Sequence, residues 1–329
     1  MTGHDLTTLP QPGESACVFC SASLGDTILL WPMLRAMARR GITVYFVAPQ
    51  SRAHLAARCI NGQLSGELPG GPGSVAPVIA VADTQPWVGR LHSEDPQVAL
   101  QPLTPPALDA ARSTILHVIS IFEEGEPGSC LPLAAARWHH NAARLFPLAR
   151  IENCGTPGSP ARLAAFTRWD AVATGHVAMG GQAGGAVVMH IGSGGRHKVW
   201  PLASWLDVAE RLKGEGLRVT LIAGEVEAER MSLADAAGFH DAGGMTLTSL
   251  EELVSVLRSA GGFVGADSGP AHLAAQLGLP TLALFGPTDS QVWSPVGPLV
   301  TIIAALPGLP MSSINCNEVV ERVRAMLER

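Results

Sequence analysis

A chain of 329 residues exceeds the roughly 250 to 300 residues at which a single hydrophobic core stops growing, so two domains are the expectation. With 47% hydrophobic and 15% charged residues it is too apolar to be disordered. A net charge of -6 provides no extended basic footprint for nucleic acid.

No apolar run approaches the roughly 18 to 20 residues that cross a bilayer, and the N-terminal stretch through Ser15 has neither a basic start nor an apolar core. A cytoplasmic protein is the expectation. The six cysteines are scattered, and Cys17 and Cys20 alone share a suggestive spacing. One such pair, with no second pair and no nearby His, reads as buried thiols rather than a zinc or redox centre.

In chain order, the apolar run Ala16 to Ala22 predicts a strand that ends at Ser23-Leu24-Gly25-Asp26, with a helix from Thr27 to Arg40. Gly41 stops that helix, and the β-branched run Ile42 to Ala48 predicts a second, parallel strand. Functional residues of such a unit belong just beyond the strand C-termini. From Asn61 to Pro106 the chain is rich in Gly, Pro and Ser, with one apolar burst at Val75 to Ala82. A β-like run, Thr114 to Phe122, is followed by a helix-compatible stretch, Ala134 to Leu148. Glycine density peaks between Gly175 and Gly185, which puts the expected domain boundary there, giving domains 1–178 and 179–329.

The second half alternates more cleanly. It reads as strand Ala186 to Ile191, helix Leu202 to Lys213, strand Leu217 to Ala223 and helix Glu227 to Ala237. Helix Ser249 to Ser259, strand Gly262 to Ala266, helix Pro270 to Leu277 and strand Thr281 to Phe285 follow. A final amphipathic helix, 317–328, closes the chain, and packing back on the first domain is one expectation for it.

Three segments could carry chemistry. Gly192-Ser193-Gly194-Gly195 leaves a strand and leads through Lys198 into a helix. Glycines let backbone approach an anion, a hydroxyl donates to it, and an ammonium neutralises it. A flexible strand-to-helix turn is the better account of the glycines alone, and Lys198 shifts the balance, being one of just two lysines in the chain, with Lys213. The second segment, Asp267-Ser268-Gly269-Pro270-Ala271-His272, lies where a strand gives way to a helix, so the Ser268 and Gly269 amides could hold a diphosphate. Simple capping explains Asp267, Ser268 and Pro270, yet leaves Gly269 and His272 unexplained. Third, Asp26 after Gly25 could take a proton from an attacking hydroxyl, or could cap the following helix. Of Glu225, Glu227 and Glu229, one could accept from a ribose and the others would be solvated first-turn charge.

Together these segments resemble the lipopolysaccharide heptosyltransferases, glycosyltransferase family 9. Ser23-Leu24-Gly25-Asp26 with Pro32 and Arg35 is similar to the family's S-L-G-D and P-x-L-R signature. His190-Ile191-Gly192-Ser193 and Lys198-Val199-Trp200-Pro201 are similar to its H-x-G-S and K-x-W-P block. The longest match is Asp267 to Ala274, with Gly278, Pro280 and Leu284-Phe285-Gly286-Pro287-Thr288.

The resemblance implies an α/β protein of the GT-B fold, two Rossmann-like domains with parallel sheets facing across a cleft. It implies transfer of heptose from ADP-heptose to a lipid-linked or oligosaccharide acceptor, without metal or cofactor, in the cytoplasm or at the inner membrane surface. Asp26 would be the base and, with Gly25, would meet the acceptor. Lys198 would meet the diphosphate, with Ser193, Gly194, Asp267, Ser268, Gly269 and His272 around the donor and Glu227 at its ribose. Departures from the pattern lie between Ser51 and Gly185, a stretch with no lysine; Arg137, Arg144, Arg150, Arg162 and Arg168 could substitute for the basic face the family would present to its acceptor, or could be plain surface charge. Another nucleotide-sugar donor, a two-Rossmann epimerase and a non-catalytic relative remain open. A nicotinamide oxidoreductase is a more distant rival, because Ser-Leu-Gly-Asp stands where its G-x-G-x-x-G should follow the first strand.

Overall fold

The computed structural model describes residues 15–19, 23–29, 31, 43–60, 78–82, 114–115, 184–288, 290–295, 297 and 299–328. The chain divides into two compact units, Met1–Arg150 and Ile151–Arg329. The expected boundary at residue 178 lies outside the described residues, as do the stretches 51–185 not named above, with their arginines.

In the first unit β1 (Ser15–Phe19), β2 (Thr43–Ala48), β3 (Val78–Ala82) and β4 (Thr114–Ile115) form a parallel sheet in the order β3-β2-β1-β4. Helix α1 (Leu24–Leu29) begins three residues earlier than the sequence predicts. The reason is local: the Ser23 carbonyl accepts from both the amide (3.0 Å) and the hydroxyl (2.8 Å) of Thr27, which closes the first turn. Asp26 is therefore inside the helix, and the alternative of Asp26 as its cap falls away. Helix α2 (Gln50–Ile60) buries Ala53, Leu55 and Ala56 beside Phe46 and Ala48 of β2. Cys17 is in β1, while Cys20 lies outside the described residues.

The second unit is built on six parallel strands: β5 (Ala186–His190), β6 (Val219–Gly224), β7 (Met245–Leu247), β8 (Ala260–Ala266), β9 (Thr281–Phe285) and β10 (Val300–Ala304). Their order is β10-β9-β8-β5-β6-β7. The sequence pattern misses both edge strands: β7 has three residues and β10 follows an irregular stretch. Central strands bury both faces, which is why β9 reads as the unbroken run TLALF with every residue buried.

Helices cover the faces. In α3 (Leu202–Gly214) the residues Trp205, Val208, Ala209 and Leu212 recur at the three- and four-residue spacing of a buried stripe. The helix expected over 227–237 is two, α4 (Glu225–Arg230) and α5 (Leu233–Asp241). The break has a cause at Ser232, whose extended backbone and side-chain oxygen, accepting from the Asp235 amide at 3.1 Å, start a new helix. Helices α6 (Leu250–Arg258) and α7 (Gly269–Gln276) flank β8, and short α8 (Ser290–Trp293) follows β9.

The final helix, α9 (Cys316–Leu327), turns Val319, Val320, Val323 and Met326 into the core of its own unit, against α3, β8, β9 and β10. Its apolar face is thus filled by the second unit. Each such buried Val contributes about 1.5–3 kcal/mol relative to exposure. Arg211 of α3 donates to Asn317 at 2.5 Å, and Arg324 pairs with Glu215, pinning the two helices at their exposed edges.

Candidate active site

In the second sheet, strand order reverses between β5 and β8, which pair directly. A parallel sheet opens a crevice above its strand C-termini at such a reversal, because the two neighbouring connections leave in opposite directions. The chain continues from β5 into Ile191–Trp200 and from β8 into Asp267 and α7. Segments 69 residues apart in sequence thereby meet.

The meeting point is Asp267, with 6% of its surface exposed. One carboxylate oxygen, Oδ2, accepts from Lys198 Nζ at 2.8 Å and from Thr288 Oγ1 at 2.8 Å. The other, Oδ1, faces His272 Nε2 at 3.9 Å, beyond hydrogen-bonding range. Burial by itself would raise the Asp267 carboxyl. The His272 and Lys198 contacts outweigh it and hold the group at about 2. The carboxylate is a fixed negative charge on which the Lys198 ammonium is anchored, with two further N–H donors left for a ligand.

Lys198 ends a single 3₁₀ turn, Arg196–Lys198. Two residues on, fully buried Trp200 packs edge-to-face on Trp205 of α3, with ring centroids 5.0 Å apart and planes at 85°. That anchor holds the end of an otherwise polar loop. Ser193 behaves differently from expectation. Its hydroxyl, predicted to donate to a phosphate, is buried and donates to the Asp267 carbonyl at 2.8 Å. It ties the two loops together. Gly194 is exposed with open space about its Cα, so backbone there is approachable.

At the start of α7, Pro270 has no N–H, and the amides of Ala271 and His272 both donate to the Ser268 carbonyl at 3.1 and 3.3 Å. The amides of Ser268 and Gly269 are left at the positive end of the helix. Ser268 Oγ and His272 Nδ1 are buried without a partner among the described residues. Unpaired buried polar atoms are costly, and their presence at this crevice fits a site that completes its hydrogen bonds with a ligand.

Of the three glutamates, Glu225 and Glu229 are exposed, while Glu227 is half-buried and folded back toward the C-terminal ends of β5 and β6. Its Oε2 accepts from the Gly224 amide at 3.1 Å, and its stem covers Gly192. Beneath lies His190; burial holds its imidazole below the usual range, and the charge of Glu227 and the Gly192 backbone oppose that only in part. The second unit therefore brings together Lys198, Asp267, Ser268, Gly269 and His272, with Ser193 tying the loops and Glu227 alongside. Sequence reasoning named the F-G-P-T run but gave Thr288 no role. Gly25 and Asp26 belong to the first unit, in α1. Among the described residues no cluster of three or more His, Cys, Asp or Glu is placed to hold a metal ion, and no helix is long and apolar enough to cross a membrane.

Residues 133–319, more than half of the chain, match the model of glycosyltransferase family 9 (heptosyltransferase). The chain belongs to glycosyltransferase family 9. Within the family it is similar to lipopolysaccharide heptosyltransferase 1 of Pseudomonas aeruginosa, 40% identical over 92 residues, which are 28% of this chain and 26% of that protein. It is 30% identical to lipopolysaccharide heptosyltransferase 1 of an Escherichia coli strain over 132 residues, 40% of each chain. The matched stretches thus span between about a quarter and two-fifths of those relatives.

Among solved structures, the fold is similar to E. coli heptosyltransferase WaaC with ADP, at a TM-score of 0.56 and 20% identity, covering 95% of this chain and 99% of that one. It is similar to a family 9 glycosyltransferase from Veillonella parvula, at 0.61 and 14%, covering 97% and 99%. The GT-B fold of two Rossmann-like units, expected from the resemblance, is what these likenesses and the parallel sheets show.

Proposed function

We propose that this member of family 9 transfers heptose from ADP-heptose to a saccharide of the lipopolysaccharide core or a related acceptor. The observation that carries the reading is the Lys198 ammonium held by buried Asp267 at 2.8 Å, beside the free end of α7. A leaving nucleotide diphosphate develops negative charge as its bond to the sugar breaks. A fixed ammonium and oriented amides stabilise that charge more in the transition state than in the ground state.

In the proposed reaction an acceptor hydroxyl attacks the anomeric carbon from the face opposite the diphosphate, inverting the centre. The hydroxyl proton passes to Asp26, the new glycosidic bond forms, and ADP departs with the electron pair of the broken C–O bond. Lys198 and the Ser268 and Gly269 amides receive the diphosphate, Glu227 the ribose, and His272 with Gly194 complete the donor's surroundings. No metal is required in this scheme. A lipid-linked acceptor would bring the chain to the inner membrane surface, whereas an oligosaccharide acceptor would not.

A calorimetric screen of ADP-, GDP- and UDP-sugars tests the donor. Binding of ADP-heptose in preference to the others is expected. Binding of a UDP-sugar with none of ADP-heptose overturns the donor assignment.

A further inference from the structure

We propose that Thr288 is a positioning residue for the transfer reaction, orienting the Lys198 ammonium through the Asp267 carboxylate; the inference rests on the donor-site reading above. Lys198 reaches Asp267 from a short turn, and its side chain is 26% exposed. A long flexible stem of that kind holds one place only if its partner is fixed.

The backbone of Asp267 is fixed on both sides, its amide donating to the Leu284 carbonyl at 2.9 Å and its carbonyl accepting from Ser193. Neither contact sets the plane of the carboxylate, which turns about its last torsion. Thr288 does, by donating to the same oxygen that holds Lys198, while Oδ1 has no hydrogen bond to His272.

The arm that carries Thr288 is packed against the core at its root. It follows β9 through Phe285-Gly286-Pro287, where Pro287 fixes its own φ. Gly286 lets Met311 of the core come so near that an added Cβ would lie 2.5 Å from its sulfur. The order Thr288 to Asp267 to Lys198 thus runs from packed core to the solvent-facing ammonium.

The test uses the full chain. With just two lysines, 198 and 213, labelling with [¹³Cε]lysine yields two side-chain signals, and Lys213, which donates to the Ala242 carbonyl, serves as the internal control. Thr288→Val keeps the shape and removes the hydroxyl; Thr288→Ser keeps the hydroxyl and removes the methyl. Expected is a displaced Lys198 signal and roughly tenfold weaker ADP binding in the Val variant, with both restored in the Ser variant. An undisturbed Lys198 signal in the Val variant, or a Ser variant worse than Val, overturns the proposal and assigns Thr288 to packing. If the Lys198 signal moves as expected but the unaltered chain binds no ADP, the positioning role stands and the donor reading fails.

Discussion

Glu227 lies across Gly192 so closely that a Cβ added to the glycine would sit 2.0 Å from the glutamate Cγ. The glycine here is a requirement of contact, because Gly192 gives the Glu227 stem its seat beside the Gly224 amide. Gly192→Ala must expel the side chain proposed to meet the ribose. ADP affinity is expected to fall by roughly tenfold or more. Calorimetry on the purified variant checks this, and unchanged affinity would remove Glu227 from the nucleotide site.

Lys198→Met removes the proposed charge stabilisation while keeping the stem's length. Turnover of ADP-heptose is expected to fall by on the order of a hundredfold to a thousandfold, the usual effect of losing one oriented charge donor. Steady-state rates with saturating donor separate this from weakened binding.

Asp267 gives a pH signature. Its carboxyl is held at about 2 in the folded chain against an ordinary 3.8. A depressed carboxyl stabilises the fold fully above its unfolded value, and that stabilisation, about 2 kcal/mol, disappears as pH falls from near 4 towards 2. In Lys198→Met the folded value rises, so the acid loss from this group shrinks. Denaturant melts of both chains across this window test the sign, and identical pH slopes would mean Lys198 does not hold the carboxylate.

Asp26→Asn removes the proposed base without altering side-chain size. Turnover is expected to drop by roughly a hundredfold or more, with ADP affinity unchanged. Unaltered turnover takes Asp26 out of the mechanism.

A substitution remote from the site calibrates the others. Ser249 caps α6, accepting from the Glu252 amide at 3.1 Å, while Glu252 in turn accepts from the Thr248 amide at 2.7 Å. Ser249→Ala is expected to cost about 1 kcal/mol and to lower Tm by roughly 2–4 °C. ADP affinity should stay put, and calorimetry beside a thermal melt shows whether it does.

Much of the second unit is legible in sequence because its strands are apolar runs bounded by Gly, Pro and Ser, with helices of clear three- and four-residue spacing between them. The misses have local causes. The single helix read over 227–237 ignores the capping power of Ser232, and α1 starts early because Ser23, not Asp26, closes its first turn. Edge strand β7 is too short to show a period.

Residue types and their local order are fixed by the chain alone: a lysine after a glycine loop, D-S-G-P at a helix start, F-G-P-T after a strand. That is enough to point to a family and to phosphate chemistry, because glycine, proline and a scarce lysine carry their physical meaning wherever they fall. Only the tertiary structure decides which of these groups meet. The order reversal at β5 and β8 brings Lys198 to Asp267, and the turn after β9 sends Thr288 to the same oxygen. It also turns the Ser193 hydroxyl inward, to the Asp267 carbonyl, because a buried O–H must find an acceptor and the facing loop presents one. Such pairings depend on strand order, which no local pattern of residues encodes.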